Sequence, residues 1–358
     1  MHADILIVGG GAVGLTSAIT LLEAGYRVTL LERGSVGQEA SWAGGGIMSP
    51  LCSWDYQDAV TRLAHRSMAM FPIAAESLHQ ATGIDPEYRR SGMLVLPPYS
   101  VEQARLWCEQ HQFPAQLVDV TYYLPIENSG ANPTGLLLPE VAQVRNPRWL
   151  RALRGRVEML GGVILEQHEV QNFVHHGERV TALQTTRGEF SADAYVVTAG
   201  AWSKALLGEH ALHMDIRPIR GQILLLKFDA PPFLHILLKK DLYLIPRRDG
   251  HVLVGSTLED VGFDKSITRE ARNSLLGRVR EIFPAWKNVE PIKHWAGFRP
   301  GSPDNIPTIS RHPHFANLYA NTGHFRYGVT MSLASAELLL NEIENRPQPF
   351  SVAEYRWR

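Results

Sequence analysis

The chain has 358 residues, with 45% hydrophobic and 20% charged residues and a formal net charge of -1. That balance belongs to a globular protein with enough apolar material for a large core. It excludes a nucleic-acid or anionic-membrane surface built on bulk charge, and no run of about 18 apolar residues is present to span a bilayer.

Taken in chain order, Ile5-Leu6-Ile7-Val8 is a short buried-strand pattern that stops at Gly9. Residues 13–24 follow with helical spacing (Val13, Ala18, Leu21, Leu22) and end at Gly25, a natural C-terminal cap. Val28-Thr29-Leu30-Leu31 completes a βαβ unit. An Ala-, Met- and Leu-rich stretch predicts a helix over 58–81, closed by Gly83. From 91 to 139 the expectation is short strands and turns, because prolines are frequent. A helix over 147–160 ends at Gly161-Gly162, and strand character returns from Val163 to Val170. Ala194–Thr198 reads as another buried strand, and residues 216–258 are β-rich, with alternation in 242–245 and 251–254. A helix over 270–283, a strand over 318–320 and a helix over 328–343 close the chain.

Buried-strand segments thus recur at the start, middle and end, with antiparallel-looking stretches between. The pattern predicts an α/β fold: a Rossmann-like βαβ domain assembled from three pieces, with an antiparallel-sheet substrate domain inserted into it twice. The expected boundaries are 1–85, 143–215 and 290–358 for the nucleotide domain, and 86–142 and 216–289 for the substrate domain.

Gly9-Gly10-Gly11-Ala12-Val13-Gly14 fits G-x-G-x-x-G, and its setting makes the match specific. It follows a strand, opens a helix, and precedes an acidic residue, Glu32, at the end of the second strand. Gly9 allows the tight turn, Gly11 lets backbone approach a pyrophosphate, and Gly14 lets helix and strand pack closely. The helix N-terminus offers unpaired N–H groups to phosphate. Glu32 can accept from ribose hydroxyls and would repel a 2′-phosphate.

Three features select FAD over NAD. The small-residue run Ser41-Trp42-Ala43-Gly44-Gly45-Gly46-Ile47 suits a backbone lying against a planar ring. Gly323-His324-Phe325-Arg326-Tyr327-Gly328-Val329 opens the last helix, whose N-terminus can stabilise negative charge on a reduced flavin. No second G-x-G-x-x-G unit is present for NAD(P)H, so the electrons are expected to come from the substrate.

These blocks, with Glu32-Arg33, Val197-Thr198-Ala199-Gly200-Ala201-Trp202, Pro218–Gln222, Tyr243-Leu244-Ile245-Pro246-Arg247 and Trp295-Ala296-Gly297-Phe298-Arg299-Pro300-Gly301, resemble the D-amino-acid oxidase superfamily of flavoproteins. Within it the likeness is to the glycine oxidases of thiamine biosynthesis. The resemblance implies that Arg299 binds the substrate carboxylate, that Tyr243 hydrogen-bonds it, and that Arg326 lies beside the site and the flavin. It implies a backbone contact from Val170 to the adenine, and places Asp241, Ile47 and Leu258 at the border of the substrate pocket. At those three positions the family's best-studied members carry His, Met and Met. The covalent cysteine of related sarcosine oxidases has no counterpart in 297–302, so non-covalent FAD is expected.

The implied reaction is oxidation of glycine, sarcosine or small D-amino acids to the 2-oxo acid and ammonia or an amine, with oxygen giving peroxide. Hydride leaves the carbon bearing nitrogen, and the guanidinium fork fixes the carboxylate. A D-amino-acid dehydrogenase serving a non-oxygen acceptor is the alternative. By pattern alone Tyr243 could be a core tyrosine, Arg299 a structural ion-pair partner, and Trp42 and Trp202 packing residues. No metal site is expected: H-E-x-x-H and C-x-x-C are absent, and His175-His176 reads as a solvated turn before Gly177. The start of the chain shows no basic n-region or cleavage site, and only Cys52 and Cys108 are present. A cytoplasmic protein with reduced thiols is therefore expected, with homo-oligomers a habit of the family.

Overall fold

The computed structural model describes residues 3–125 and 134–357; residues 126–133 of the expected strand-and-turn stretch lie outside the described residues. Its first sheet has six strands in the order Thr308–Arg311, Leu318–Thr322, Ala192–Val197, Ala3–Val8, Val28–Leu31, Val163–Leu165. All neighbours are parallel except the first pair. Ala3–Val8 sits between Val28–Leu31 and Ala192–Val197, so Val8, Leu31 and Val197 end at one sheet edge. The turns that follow them therefore meet in one place, which is where a parallel sheet builds its ligand site.

The strands are apolar throughout because both faces are covered. Ile5, Leu6, Ile7, Leu30, Leu31, Val196 and Val197 are all essentially solvent-free. Helices Ala12–Glu23 and Asp58–Thr82 both pack against Gly328–Ile343. Buried Ala334 on that last helix lets Asp58–Thr82 approach, its N–H donating to Ser67 Oγ at 3.3 Å. Its buried Leu338 and Leu339 contribute about 1.5–3 kcal/mol each by leaving water.

The second sheet has eight strands, ordered Lys293–Gly301, Arg217–Lys227, His251–Gly255, Leu242–Pro246, Ile236–Lys239, Met93–Leu96, Thr134–Leu138, Gln116–Asp119. It is antiparallel except where Ile236–Lys239 meets Met93–Leu96. The architecture is α/β, with a parallel sheet beside antiparallel sheets.

Two local expectations are corrected. Within 91–139 the chain forms a helix, Val101–Gln110, started by Ser100, whose hydroxyl accepts from the Gln103 N–H. Its buried Ala104, Trp107 and Cys108 have helical spacing, which the flanking prolines obscured. His175 and His176 end a strand, Val170–His176, rather than lying in a turn, and the His175 ring packs edge-on against His210 and Phe315.

Candidate active site

A cavity of about 430 Å³ runs from the glycine turn at the parallel-sheet edge to the outer strands of the eight-stranded sheet. At its first end Gly9 has φ +112, and a Cβ there would lie 2.6 Å from the Thr198 carbonyl oxygen. A Cβ at Gly14 would stand 1.9 Å from the Gly9 carbonyl oxygen, so Gly14 shapes the turn without lining the cavity. Gly11 caps helix Ala12–Glu23 with no side chain, and the Ala12 N–H is held by Ser41 Oγ at 2.9 Å. Glu32 accepts from the Gly10 and Gly34 amides, one at each carboxylate oxygen and both at 2.8 Å. Each oxygen keeps a further lone pair for a ligand hydroxyl.

Of the residues expected to hold a cofactor, Gly9, Gly11, Ala12, Val13, Glu32, Arg33, Ser41, Ala43, Gly44, Gly45, Gly46, Val170, Ala199, Gly200, Trp202 and Gly297 line this cavity. His324, Phe325, Arg326, Tyr327, Gly328 and Val329 line it too. The Arg33 guanidinium stacks on the Trp202 ring at 3.6 Å, which gives Trp202 a cation–π role beyond packing. Trp42 does not line the cavity; its ring meets Trp295 edge-on at 5.7 Å. His324 turns its ring inward, Nε2 meeting Ser335 Oγ at 2.8 Å, and burial brings its pKa down to about 3. The neutral imidazole therefore offers the cavity backbone rather than a charged ring.

Arg299, Tyr243, Arg326 and Ile47 also line the cavity, and Tyr243 and Arg326 lie close enough to Arg299 to act on its charge. Arg299 and Tyr243 lie on strands separated by two others, about 14 Å at ordinary strand spacing. Glycines on the intervening strands let them converge. A Cβ at Gly221 would sit 2.2 Å from Arg299 Nη1, and one at Gly255 would sit 2.4 Å from the Tyr243 hydroxyl. Arg299 donates to the Thr257 carbonyl at 3.1 Å and to Ser256 Oγ at 2.6 Å. Burial lowers its pKa, opposed by the neighbouring Tyr243 oxygen. Among the described residues no carboxylate is ion-paired with Arg299 or Arg326, whereas buried Arg220 is neutralised by Glu259 and Asp264 at 2.5 and 2.8 Å.

Asp241 and Leu258 are not brought to the site, and both expectations are corrected. Asp241 leaves a hairpin turn in which Lys240 has φ +56, so the strand alternation that would align it with Tyr243 is broken. Its carboxylate pairs with Arg278 at 2.6 Å. Leu258 lies beyond the end of strand His251–Gly255 with 52% of its surface exposed. Sequence reasoning missed Asn146, Gly221 and Ser256, which also line the cavity. A glycine inside a strand signals a close approach, and that signal was available at Gly221.

Residues 4–341 match the family model described as DAO, FAD dependent oxidoreductase. The chain belongs to this family. It is 42% identical over 358 residues to the glycine oxidase of Pseudomonas aeruginosa, covering 99% of this chain and 98% of that protein. The glycine oxidase of Pseudomonas putida is 40% identical over 359 residues, covering 99% and 98%. The crystal structure of glycine oxidase from Geobacillus kaustophilus superposes with a TM-score of 0.92 at 26% identity, over 100% of this chain and 98% of that one. This member of the DAO family is an FAD-dependent amine oxidoreductase that oxidises amino acids.

The residues present fit FAD. Gly9 and Gly14 allow a turn too tight for side chains, and that turn brings the N-terminus of helix Ala12–Glu23, capped by the bare Gly11, to the cavity wall, where it suits a pyrophosphate. Neither Cys52 nor Cys108 lines the cavity. Among the described residues no helix is long and apolar enough to cross a membrane, and no cluster of three metal-ligating side chains occurs.

Proposed function

We propose that the chain oxidises glycine and other small amines, sarcosine and small D-amino acids among them, to the 2-oxo acid and ammonia or an amine, with water supplying the oxygen of the new carbonyl, and that molecular oxygen accepts the electrons to give hydrogen peroxide. The observation that carries this reading is the Arg299 guanidinium in the cavity beside Tyr243 with no carboxylate partner. A half-buried cation held only by neutral acceptors favours an anion, and a guanidinium fork matches a carboxylate in two parallel hydrogen bonds.

When bound, FAD supplies the two-electron acceptor. The glycine turn and Glu32 would hold its nucleotide half, and the run from Ala43 to Gly46 with the His324–Val329 segment would border its ring. Arg299 grips the substrate carboxylate, Tyr243 donates from a second strand, and the two contacts fix the substrate's rotation. Arg326 adds a second positive charge that disfavours protonation of a nearby amine, so the substrate is held in its neutral form. Ile47 and Ile223 line the cavity as apolar wall that excludes water.

The test is anaerobic mixing of holoenzyme with glycine, sarcosine, D-alanine and D-proline while the flavin absorbance is followed. Bleaching by glycine or sarcosine, with stoichiometric peroxide in air, is the expected result. Absence of bleaching by all four would overturn the substrate class. Bleaching without peroxide in air, but with dye reduction, would favour a dehydrogenase.

A further inference from the structure

The run between Ser41 and Gly46 is held through its carbonyl groups. Asn146 Nδ2 donates to the Ser41 and Gly44 carbonyls at 2.7 and 3.0 Å. Trp295 Nε1 donates to the Ala43 carbonyl at 3.1 Å, and the Val144 N–H to the Gly46 carbonyl at 2.9 Å. The Gly45 carbonyl is taken by Arg247 Nη2 at 2.7 Å.

Arg247 is unusual among these donors. It is 3% exposed and does not line the cavity, yet it carries a charge. Its Nη1 donates to Gln143 Oε1 at 2.8 Å and to the Val144 carbonyl at 2.9 Å, and Gln143 passes its own donor to Ser91 Oγ. Every one of these partners is neutral. The acids whose charge favours its charged form, Glu87 and Asp249, are both ion-paired with Arg145, at 3.1 and 2.8 Å, and Arg148 also meets Glu87 at 2.9 Å. Burial brings the Arg247 pKa down to about 10, so the guanidinium stays charged at neutral pH.

A trans peptide points its N–H opposite its C=O. With the Gly45 carbonyl drawn to Arg247, the N–H of the same peptide, that of Gly46, points the other way. Among the described residues no acceptor meets that N–H. Gly45 and Gly46 both line the cavity, and Gly46 has φ +72, a conformation that suits glycine.

We propose that Arg247 is a positioning residue that aims the Gly46 amide into the cavity through the Gly45 carbonyl, and whose unneutralised charge makes a flavin ring lying against Gly44–Gly46 easier to reduce. The proposal rests on the ring placement given above and goes beyond it in assigning the driving charge to a side chain outside the cavity. A single cation at several ångströms in protein surroundings changes an equilibrium by about tenfold or more. A reduced, negatively charged ring gains from it and an oxidised neutral one does not.

Holoenzymes carrying Arg247→Gln and Arg247→Lys are to be compared with wild type in midpoint potential, measured by equilibration with reference dyes. Arg247→Gln keeps a donor and loses the charge. Its reduction equilibrium constant is expected to fall at least about tenfold, equal to about 30 mV for a two-electron couple. Arg247→Lys keeps the charge and loses the fork; its constant is expected to stay within about threefold of wild type. FAD retained in Arg247→Gln with a wild-type potential would overturn the proposal. If Arg247→Gln yields no holoenzyme, a tenfold or greater fall in Arg247→Lys would overturn it. Dyes need no amino acid, so failure of glycine to bleach the wild-type flavin would count against the substrate assignment alone.

Discussion

Gly221→Ala tests whether Arg299 is a substrate anchor. Gly221 lies in the regular strand Arg217–Lys227 and is not among the glycines of positive φ, so alanine fits its backbone. The added methyl would meet Arg299 Nη1, Nη2 and Cζ at 2.2, 2.3 and 2.4 Å, where ordinary contact begins at 3.4 Å. The guanidinium must therefore retreat by about 1 Å. It is the far end of a flexible side chain, so the fold survives. The loss is confined to the bonds to Ser256 and the Thr257 carbonyl, about 2 kcal/mol at most. Binding of a carboxylate depends on that same 1 Å, and such a misplacement costs about 100-fold, equal to about 2.7 kcal/mol. The variant is expected to keep its flavin spectrum while kcat/KM for glycine falls about 30- to 100-fold. Combining it with Arg299→Ala should do no further harm, because both changes act on one contact. Wild-type glycine kinetics in a folded, flavin-loaded Gly221→Ala enzyme would refute the reasoning.

Arg299→Ala itself should raise the glycine dissociation constant by about 100-fold, near 3 kcal/mol, in anaerobic titration, with FAD retained; unchanged affinity would remove Arg299 from the site. Gly14→Ala drives a methyl to 1.9 Å from the Gly9 carbonyl oxygen, a backbone atom that cannot yield. It should cost more than about 3 kcal/mol of stability, read as a lowered melting temperature and low FAD content. The His324 imidazole has its pKa held at about 3 by burial, below the unfolded value near 6.5. Protonation therefore favours the unfolded state, and its contribution is complete above pH 6.5 and lost as pH falls towards 3. Between pH 7 and 5 wild type should lose about 2 kcal/mol more than His324→Gln in denaturant titrations; equal losses would place the pH response elsewhere.

The parallel-sheet edge was legible because each of its features is local. A β-branched run, a glycine turn and a helical period sit within the first βαβ unit, so strand, turn and helix could be read from neighbours in the chain. Tyr243 and Arg299 were named by resemblance rather than pattern: nothing local separates Tyr243 from a core tyrosine or Arg299 from Arg220. Their convergence needs the register that pairs Ile219 with Arg299 and Tyr243 with Gly255, and register is a long-range property. Asp241 went astray for the same reason. Its alternation with Tyr243 holds only if the strand starts early enough, and the left-handed Lys240 starts it one residue too late.

The two ends of the cavity solve opposite problems with the same residue type. At the nucleotide end, glycines at 9 and 14 remove side chains so that backbone can approach backbone and leave amides for a phosphate. At the end where Arg299 and Tyr243 lie, glycines at 221 and 255 remove side chains so that distant ones can lie across the sheet. There the cavity-facing side of the sheet becomes a floor on which a guanidinium and a phenol meet. Arg220 on the neighbouring strand has its charge met by two carboxylates, and Arg247, held by neutral acceptors alone, does not line the cavity. Arg299 differs from both in lining the cavity, where an entering anion would offset its desolvation; on the reading proposed above that anion is the substrate carboxylate.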